Sequence, residues 1–138
     1  MKIVICGSMS FAKEMLETRK ILEAQGHQIV IPRFTEEHAR QLLPKSEDAD
    51  RKREHDLIRD YYRKILESDA ILVLNYDANG IKGYIGGNSF LEMGFAHVLH
   101  KPIYLLYPIP QMNYTDEMRA MDPMILHGDL SRLHGKGP

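Results

Sequence analysis

Residues 69–75 have the sequence DAILVLN, which is the most apolar stretch of the chain. An uninterrupted apolar run of this length, bounded by polar residues, predicts a strand that is buried on both faces. Residues 2–6, KIVIC, form a second run of this kind, which Gly7 and Ser8 end. Strands without polar alternation are typical of parallel sheets, because helices cover both faces of such a sheet.

Helical patterns alternate with these strands along the chain. Amphipathic spacing predicts helices over residues 11–25, 56–68 and 89–99, and a short helix over 114–121. Short apolar runs predict further strands over 27–31, 103–106 and 124–127. Alternation of strand and helix favours right-handed crossovers between parallel strands. The pattern therefore predicts an α/β fold, a three-layer flavodoxin-like (Rossmann-like) domain with a parallel sheet of about five strands.

Length and composition limit the function. A chain of 138 residues with a formal net charge of −1 predicts one domain over residues 1–138, with no charge field for nucleic acid or a membrane surface. Cys6 is the only cysteine, so no intrachain disulfide forms and a reducing cytoplasm is expected. No apolar run is long enough for a signal peptide or membrane span. The seven histidines show no ligand spacing, so we expect neither a metal nor a cofactor.

Two segments lie outside this regular pattern. Residues 33–54 are highly charged and contain Pro44, and we predict a charged loop insertion with at most a short helix over 36–43. A loop of this length either carries a function or is a solvated connection without one, and both readings stay open. Residues 135–138 are predicted to be a flexible tail.

Three polar segments follow strands, at residues 7–10, 75–89 and 107–113. Because the carboxyl ends of parallel strands meet at one edge of a sheet, we expect these segments, with Asn75 at the end of its strand, to form a ligand site. Gly7 allows close approach to the backbone, and the hydroxyls of Ser8 and Ser10 beside a helix start suit a phosphate or carboxylate. The alternative is that these serines only cap the helix.

Residues 86–96, GGNSFLEMGFA, are the most informative stretch. The expected helix start provides two glycines, against which a ligand can lie, and two polar residues: Gly86, Gly87, Asn88 and Ser89. Glu92 lies one turn further on, and Gly94 is expected to let the helix pack tightly on the sheet. The alternative is structural, because Ser89-x-x-Glu92 is also a capping box in which Glu92 bonds back to the Ser89 amide.

The runs SDAILV at 68–73, EMGFA at 92–96 and HKPI at 100–103, with a glycine-rich loop between the first two, resemble the nucleoside 2-deoxyribosyltransferase superfamily. That superfamily includes the 2′-deoxynucleoside 5′-phosphate N-hydrolases, and the first strand followed by Gly7 and Ser8 is similar to this branch. The resemblance extends from Met1 to about Pro110, except for the charged segment. It implies a flavodoxin-like sheet and chemistry at an N-glycosidic bond.

The resemblance also implies roles for particular residues. The nucleophilic glutamate of the family falls on Glu92, and a carboxylate suits attack on an anomeric carbon. Contacts to the sugar or phosphate fall on Gly7, Ser8 and Ser89, and Asn113 would reach the site of a neighbouring subunit.

The sequence departs from the family at two positions. Gly86 stands where the family has Asp or Ser, and Tyr61 stands where it has an aspartate that assists the base. Asp60, one residue away, is the candidate replacement.

Two classes of function follow. The first is an enzyme that cleaves or transfers at the N-glycosidic bond of a (deoxy)ribonucleoside or its 5′-monophosphate. The alternative is a non-catalytic nucleotide-binding sensor or regulatory module, and a structural subunit of an oligomer is a third reading. Helix 89–99 is apolar nearly all round, which predicts a homodimer or larger homo-oligomer. Three tyrosines in the expected site loops could stack on a base or simply pack: Tyr76, Tyr84 and Tyr107.

Overall fold

The computed structural model of the protein describes residues 1–43 and 49–133. Five strands form one sheet: β1 (Lys2–Cys6), β2 (Gln28–Val30), β3 (Ala70–Val73), β4 (Ile103–Leu105) and β5 (Met124–Ile125). The described ranges contain six helices: α1 (Ala12–Ala24), α2 (Thr35–Ala39), α3 (Ala49–Glu54), α4 (Leu57–Leu66), α5 (Gly87–Val98) and α6 (Thr115–Ala120). Short 3-10 turns cover Met9–Phe11 and Leu130–Arg132.

The strand order is β2-β1-β3-β4-β5, and every pairing between neighbours is parallel. Ile3, for example, pairs with Ile29 on one side and with Ala70 on the other. This order is that of flavodoxin-like folds, so the predicted fold is confirmed. In such a sheet the carboxyl ends of β1 and β3 lie side by side, which is where the topology opens a crevice.

Successive residues of the central strands belong to two different cores. Val4 and Cys6 pack on one face with side chains of α4 and α5, among them Ile65 and Met93. The opposite face holds residues from β1, α1 and the last 3-10 turn region, including Ile3, Ile5, Met15, Leu22 and Leu133. Because both faces are covered, apolar residues occupy consecutive positions of β1 and β3, and this explains their lack of alternation.

The described parts of the charged segment, residues 33–43 and 49–54, contain more helix than predicted. They contain α2 and α3, and α2 packs on α1 with Thr35 and His38 buried. Each of these helices is under two turns long, so neither displays the apolar repeat from which a helix is recognised in a sequence. The predicted tail at 135–138 lies outside the described residues. Within the described ranges, no helix has the length and apolar character needed to cross a membrane.

Candidate functional site

A cavity of about 510 Å³ opens at the carboxyl ends of β1 and β3, between the turn that follows β1, α4 and the start of α5. Its volume is in the range of small-molecule sites. Nine predicted site residues line it together: Gly7, Ser8, Ser10, Asp60, Gly86, Gly87, Asn88, Ser89 and Glu92. The rule that ligand sites lie at the carboxyl ends of parallel strands thus brought together nine residues that the structure places around one cavity.

The turn after β1 forms one wall. The Ser8 side chain accepts a hydrogen bond of 3.1 Å from the Ser10 amide and caps the 3-10 turn, so Ser8 has a capping role whether or not it also binds a ligand. Its hydroxyl hydrogen remains a donor, and both serines are exposed at the cavity. A Cβ at Gly7 would lie 3.0 Å from Met15 Cε and 3.4 Å from the Leu74 carbonyl oxygen. A side chain at position 7 would need the Met15 methyl group to shift by a few tenths of an ångström, so glycine suits the close packing of this strand end.

The start of α5 forms the opposite wall and differs from the prediction. The helix begins at Gly87, with Gly86 as its N-cap, so Ser89 is the third helical residue and not the cap. A capping box needs its serine at the N-cap, and this alternative for Ser89 and Glu92 is therefore wrong. The tight packing expected at Gly94 is also wrong, since a Cβ there would meet nothing within 4 Å.

Glu92 lies on the second turn of α5, beside the carboxyl end of β1. The Cys6 thiol is hydrogen-bonded to the Glu92 side chain, and its pKa is raised well above its usual value by burial, by the nearby Glu92 charge and by this hydrogen bond. The Tyr61 hydroxyl donates to the Ile5 carbonyl oxygen. Burial, followed by the neighbouring Cys6, Glu92 and Asp60, raises the pKa of Tyr61 well above its usual value. Cys6 and Tyr61 are thus protonated neighbours of the Glu92 carboxyl at neutral pH.

Asp60 is the second carboxylate that lines the cavity, together with its neighbour Tyr61. Its carboxylate forms an ion pair with Lys64 at 3.0 Å, one turn further along α4. The structure therefore brings Asp60 to the same cavity as Glu92, with a cationic side chain already bound to it.

Asn75 does not line this cavity. Its side chain is fully buried, donates to the carbonyl oxygens of Tyr107 (2.8 Å) and Pro108 (3.2 Å), and accepts from the Tyr107 amide (2.9 Å). Its expected contact with substrate is corrected to a structural role, because these bonds tie the loop after β3 to the loop after β4. Asn113 is exposed and also lies outside the lining, and its reach to a neighbouring subunit stays a prediction.

Of the three candidate tyrosines, only Tyr84 lines the cavity. Tyr76 packs instead against Phe11 and Tyr107, at centroid distances of 4.9 Å and 6.0 Å.

The sequence analysis missed two cations in the lining, Arg33 and Lys52. Neither forms an ion pair with a carboxylate in the part of the chain that the structure describes. Arg33 follows β2, whose carboxyl end adjoins that of β1, so the sheet-edge rule could have found it. Lys52 lies on α3, and no local signal indicated that α3 would reach the site. Across residues 1–43 and 49–133, no three His, Cys, Asp or Glu side chains cluster as metal ligands would.

Comparison with known proteins identifies the fold. No protein-family model matches the chain, and neither does any curated protein sequence. A 2-deoxyribosyltransferase of the psychrotolerant bacterium Bacillus psychrosaccharolyticus superposes with a TM-score of 0.51 and 20% identity over 77% of this chain and 72% of that enzyme. The Clostridium botulinum CMP N-glycosidase BcmB gives a TM-score of 0.51 and 14% identity over 91% of this chain and 85% of that enzyme. Likenesses at this level of identity concern the fold, and the flavodoxin-like fold implied by the resemblance is confirmed.

Proposed function

We propose that this protein binds a nucleoside or its 5′-monophosphate and cleaves or transfers at the N-glycosidic bond, with Glu92 as the nucleophile. The observation that carries the proposal is the position of Glu92, which lines the cavity beside Cys6 and Tyr61 and does not cap its own helix. Two solved structures that share the fold are a 2-deoxyribosyltransferase and a CMP N-glycosidase, which supports this class of reaction.

In the proposed reaction, a Glu92 carboxylate oxygen attacks the anomeric carbon of the sugar. The bond between that carbon and the base nitrogen breaks, its electron pair goes to the base, and the base takes up a proton from the acid form of Asp60, the candidate donor. Water in hydrolysis, or a second base in transfer, then attacks the anomeric carbon of the resulting glycosyl ester. The proton of the attacking group returns to the Asp60 carboxylate, and the bond between the carbon and Glu92 breaks to release the Glu92 carboxylate. The protonated Cys6 thiol donates a hydrogen bond to the Glu92 side chain and holds it in place between these steps.

The sugar and phosphate would bind at the polar ends of the cavity. Ser8 and Ser10 offer hydroxyls on one wall, and Asn88 and Ser89 lie in the first turn of α5 on the other. Arg33 and Lys52 line the same cavity without a carboxylate partner in the described ranges, which favours a ligand that carries negative charge. We therefore propose the 5′-monophosphate as the preferred form.

A non-catalytic nucleotide-binding module is the second candidate. It is favoured because the polar groups of the two residues at the position expected for the general acid already have partners within the protein. Asp60 is ion-paired with Lys64, and the Tyr61 hydroxyl is already bound to the Ile5 carbonyl oxygen. A module of this kind would keep the cavity and its affinity for nucleotides without releasing a base.

The experiment that separates the two candidates is a panel of deoxynucleosides, ribonucleosides and their 5′-monophosphates. Free base is measured by chromatography, and binding of each compound is measured by calorimetry. We expect release of free base, fastest from a monophosphate. Binding without base release would support the regulatory module, and the absence of both would contradict either function.

We also propose that the protein acts in the cytoplasm as a homodimer or larger homo-oligomer. Exposed apolar side chains extend along α4 (Ile58, Tyr62 and Leu66) and α5 (Leu91 and Val98), and Tyr62 contacts Phe95 between the two helices. Contiguous exposed apolar surface of this kind marks an interaction face. Part of it belongs to the cavity wall, since Ile58 and Leu91 also line the cavity.

Sedimentation tests the assembly. We expect a species of at least twice the 15.9 kDa chain mass at micromolar concentration. Val98→Glu places a charge on a side chain that is 75% exposed in the single chain and should shift the protein towards monomer. Ile21→Glu, on the distant helix α1, is the matched control and should leave assembly unchanged. A wild-type protein that sediments only as a monomer would contradict the proposal.

A further inference from the structure

We infer that the Tyr84 hydroxyl supplies the polar group that the start of α5 lacks at Gly86, and that it binds an oxygen of the sugar–phosphate part of the ligand. The inference rests on the proposed function, because it takes the ligand to be a nucleoside or its 5′-monophosphate. It adds a residue that determines specificity, at a position to which the sequence assigned either base stacking or packing.

The start of α5 is unusual for a helix that borders a cavity. N-cap positions favour Ser, Thr, Asp and Asn, whose side chains accept a hydrogen bond from the first turn. Here the N-cap is Gly86, and no side chain makes a capping hydrogen bond. The following residue is Gly87, around which a Cβ would meet nothing within 4 Å. Two successive positions at the cavity therefore contribute no polar side chain of their own.

Tyr84 occupies the space beside Gly86. A Cβ built on Gly86 would lie 3.4 Å from Tyr84 Cε1 and 3.6 Å from the Tyr84 hydroxyl oxygen. The ring edge and the hydroxyl thus lie next to where a side chain at position 86 would begin. Tyr84 is half-buried and lines the cavity, so its hydroxyl is within reach of a ligand at the start of α5.

The Tyr84 hydroxyl differs from those of two nearby tyrosines. Tyr61 donates to the Ile5 carbonyl oxygen, and Tyr114 donates to the Ile85 carbonyl oxygen. The described residues offer no such partner to the Tyr84 hydroxyl. A phenol can both donate and accept a hydrogen bond, which suits a sugar hydroxyl or a phosphate oxygen.

The position of Glu92 indicates which part of the ligand lies here. Glu92 follows Gly86 by six residues, roughly 9 Å along the helix axis at 1.5 Å per residue. Helical side chains point back towards the N-terminus, which shortens this distance at the carboxylate. A sugar whose anomeric carbon lies at Glu92 would therefore present its hydroxyls or its 5′-phosphate to the start of α5, where amide groups also favour anionic oxygens.

The first test is Tyr84→Phe, which keeps the ring and removes only the hydroxyl. We expect the KM for the substrate that the wild-type protein prefers to rise about tenfold, as for the loss of one hydrogen bond to a ligand, with a smaller change in kcat. A rise confined to the 5′-monophosphate identifies a phosphate oxygen as the partner, and an equal rise for the nucleoside identifies a sugar hydroxyl. Tyr107→Phe, outside the cavity, is the control and should leave KM unchanged.

The second test moves the hydroxyl. Tyr84→Ala removes the ring and leaves space for a side chain at position 86. Gly86→Ser in the Tyr84→Ala protein then places a serine hydroxyl in the space that the tyrosine ring occupied. We expect this double variant to have a lower KM than the matched Tyr84→Ala, Gly86→Ala protein. Equal KM values for the two double variants, or a wild-type KM for Tyr84→Phe, would overturn the inference. The proposed function would still stand if the wild-type protein releases base. A wild-type protein that neither binds nor cleaves the panel would overturn both.

Discussion

Asn75 and Ser89 are both polar, both buried and both at the carboxyl edge of the sheet, yet their surroundings differ. Asn75 makes three hydrogen bonds to the backbone of Tyr107 and Pro108, and every polar atom of its side chain is used. Ser89 is 5% exposed, lines the cavity beside Glu92, and makes no side-chain hydrogen bond within the described residues. The hydrogen-bonding groups of Asn75 are satisfied without a ligand, whereas the Ser89 hydroxyl lies at a cavity wall and has no partner in the described residues.

This difference teaches how to separate structural from functional polar residues. A buried polar group that is satisfied by backbone partners stabilises the fold, and its loss appears in the free energy of unfolding. A polar group at a cavity wall costs little to remove from the free protein, and its loss appears in binding or rate. The following predictions test this separation.

The largest effect is expected at Glu92. Glu92→Gln keeps an acceptor for the Cys6 thiol but cannot act as a nucleophile. We therefore expect base release to fall about a thousandfold or more, with the free energy of unfolding changed by less than about 1 kcal/mol. Single-turnover kinetics and urea unfolding measure the two quantities, and Glu67→Gln, an exposed glutamate at the end of α4, is the control. An active Glu92→Gln protein would end the nucleophile proposal.

The reverse pattern is expected at Asn75. Asn75→Ala leaves the Tyr107 amide and two carbonyl oxygens without their partner, which should lower the free energy of unfolding by about 2–3 kcal/mol. The KM of the folded protein should not change. Asn113→Ala, at an exposed asparagine, should alter stability by less than about 0.5 kcal/mol. A stable Asn75→Ala protein with a raised KM would place Asn75 in ligand binding after all.

The smallest effect concerns alkaline pH. Burial and the neighbouring carboxylates raise the pKa values of Cys6 and Tyr61 above their usual values of 9.0 and 10.0. Above pH 9 the unfolded chain releases these protons while the folded chain retains them, so stability is full below about pH 9 and falls as pH rises. The loss should be about 2 kcal/mol between pH 8 and pH 10, most of it from Cys6.

Urea unfolding between pH 7 and pH 10 measures this loss, and both Cys6→Ala and Tyr61→Phe should reduce the slope. Each variant also loses packing in the core, but that cost is the same at every pH. Curves that run parallel to the wild-type curve for both variants would mean that neither group contributes to the pH dependence.

Much of the fold was predictable because the signal is local. The apolar runs in β1 and β3 predicted parallel strands buried on both faces, and the chain order of strands and helices predicted the flavodoxin-like class. The boundaries were less accurate: α5 begins at Gly87, two residues before the predicted start, because glycines carry no local signal for helix. That small shift excludes the capping-box role of Glu92, since it removes Ser89 from the N-cap.

The candidate site was predictable only where it follows from strand ends. The sheet-edge rule located the residues after β1 and around the start of α5, but it also included Asn75, whose side chain turns towards the loop after β4. The same rule could have predicted Arg33 in the cavity lining, because Arg33 follows β2. It could not have predicted Lys52, because α3 is held near the cavity by tertiary contacts alone.

By itself, the amino-acid sequence determined the strand and helix order, the parallel sheet and the edge where a ligand could bind, because these depend on apolar periodicity and on the geometry of parallel strands. Only the tertiary structure decided which polar side chains are satisfied by the protein and which line the cavity. Hydrogen bonds such as those of Asn75 join loops that are 32 residues apart in the chain, and no local pattern encodes their direction. The same holds for Tyr84, because no local pattern predicts that its ring and hydroxyl lie beside Gly86.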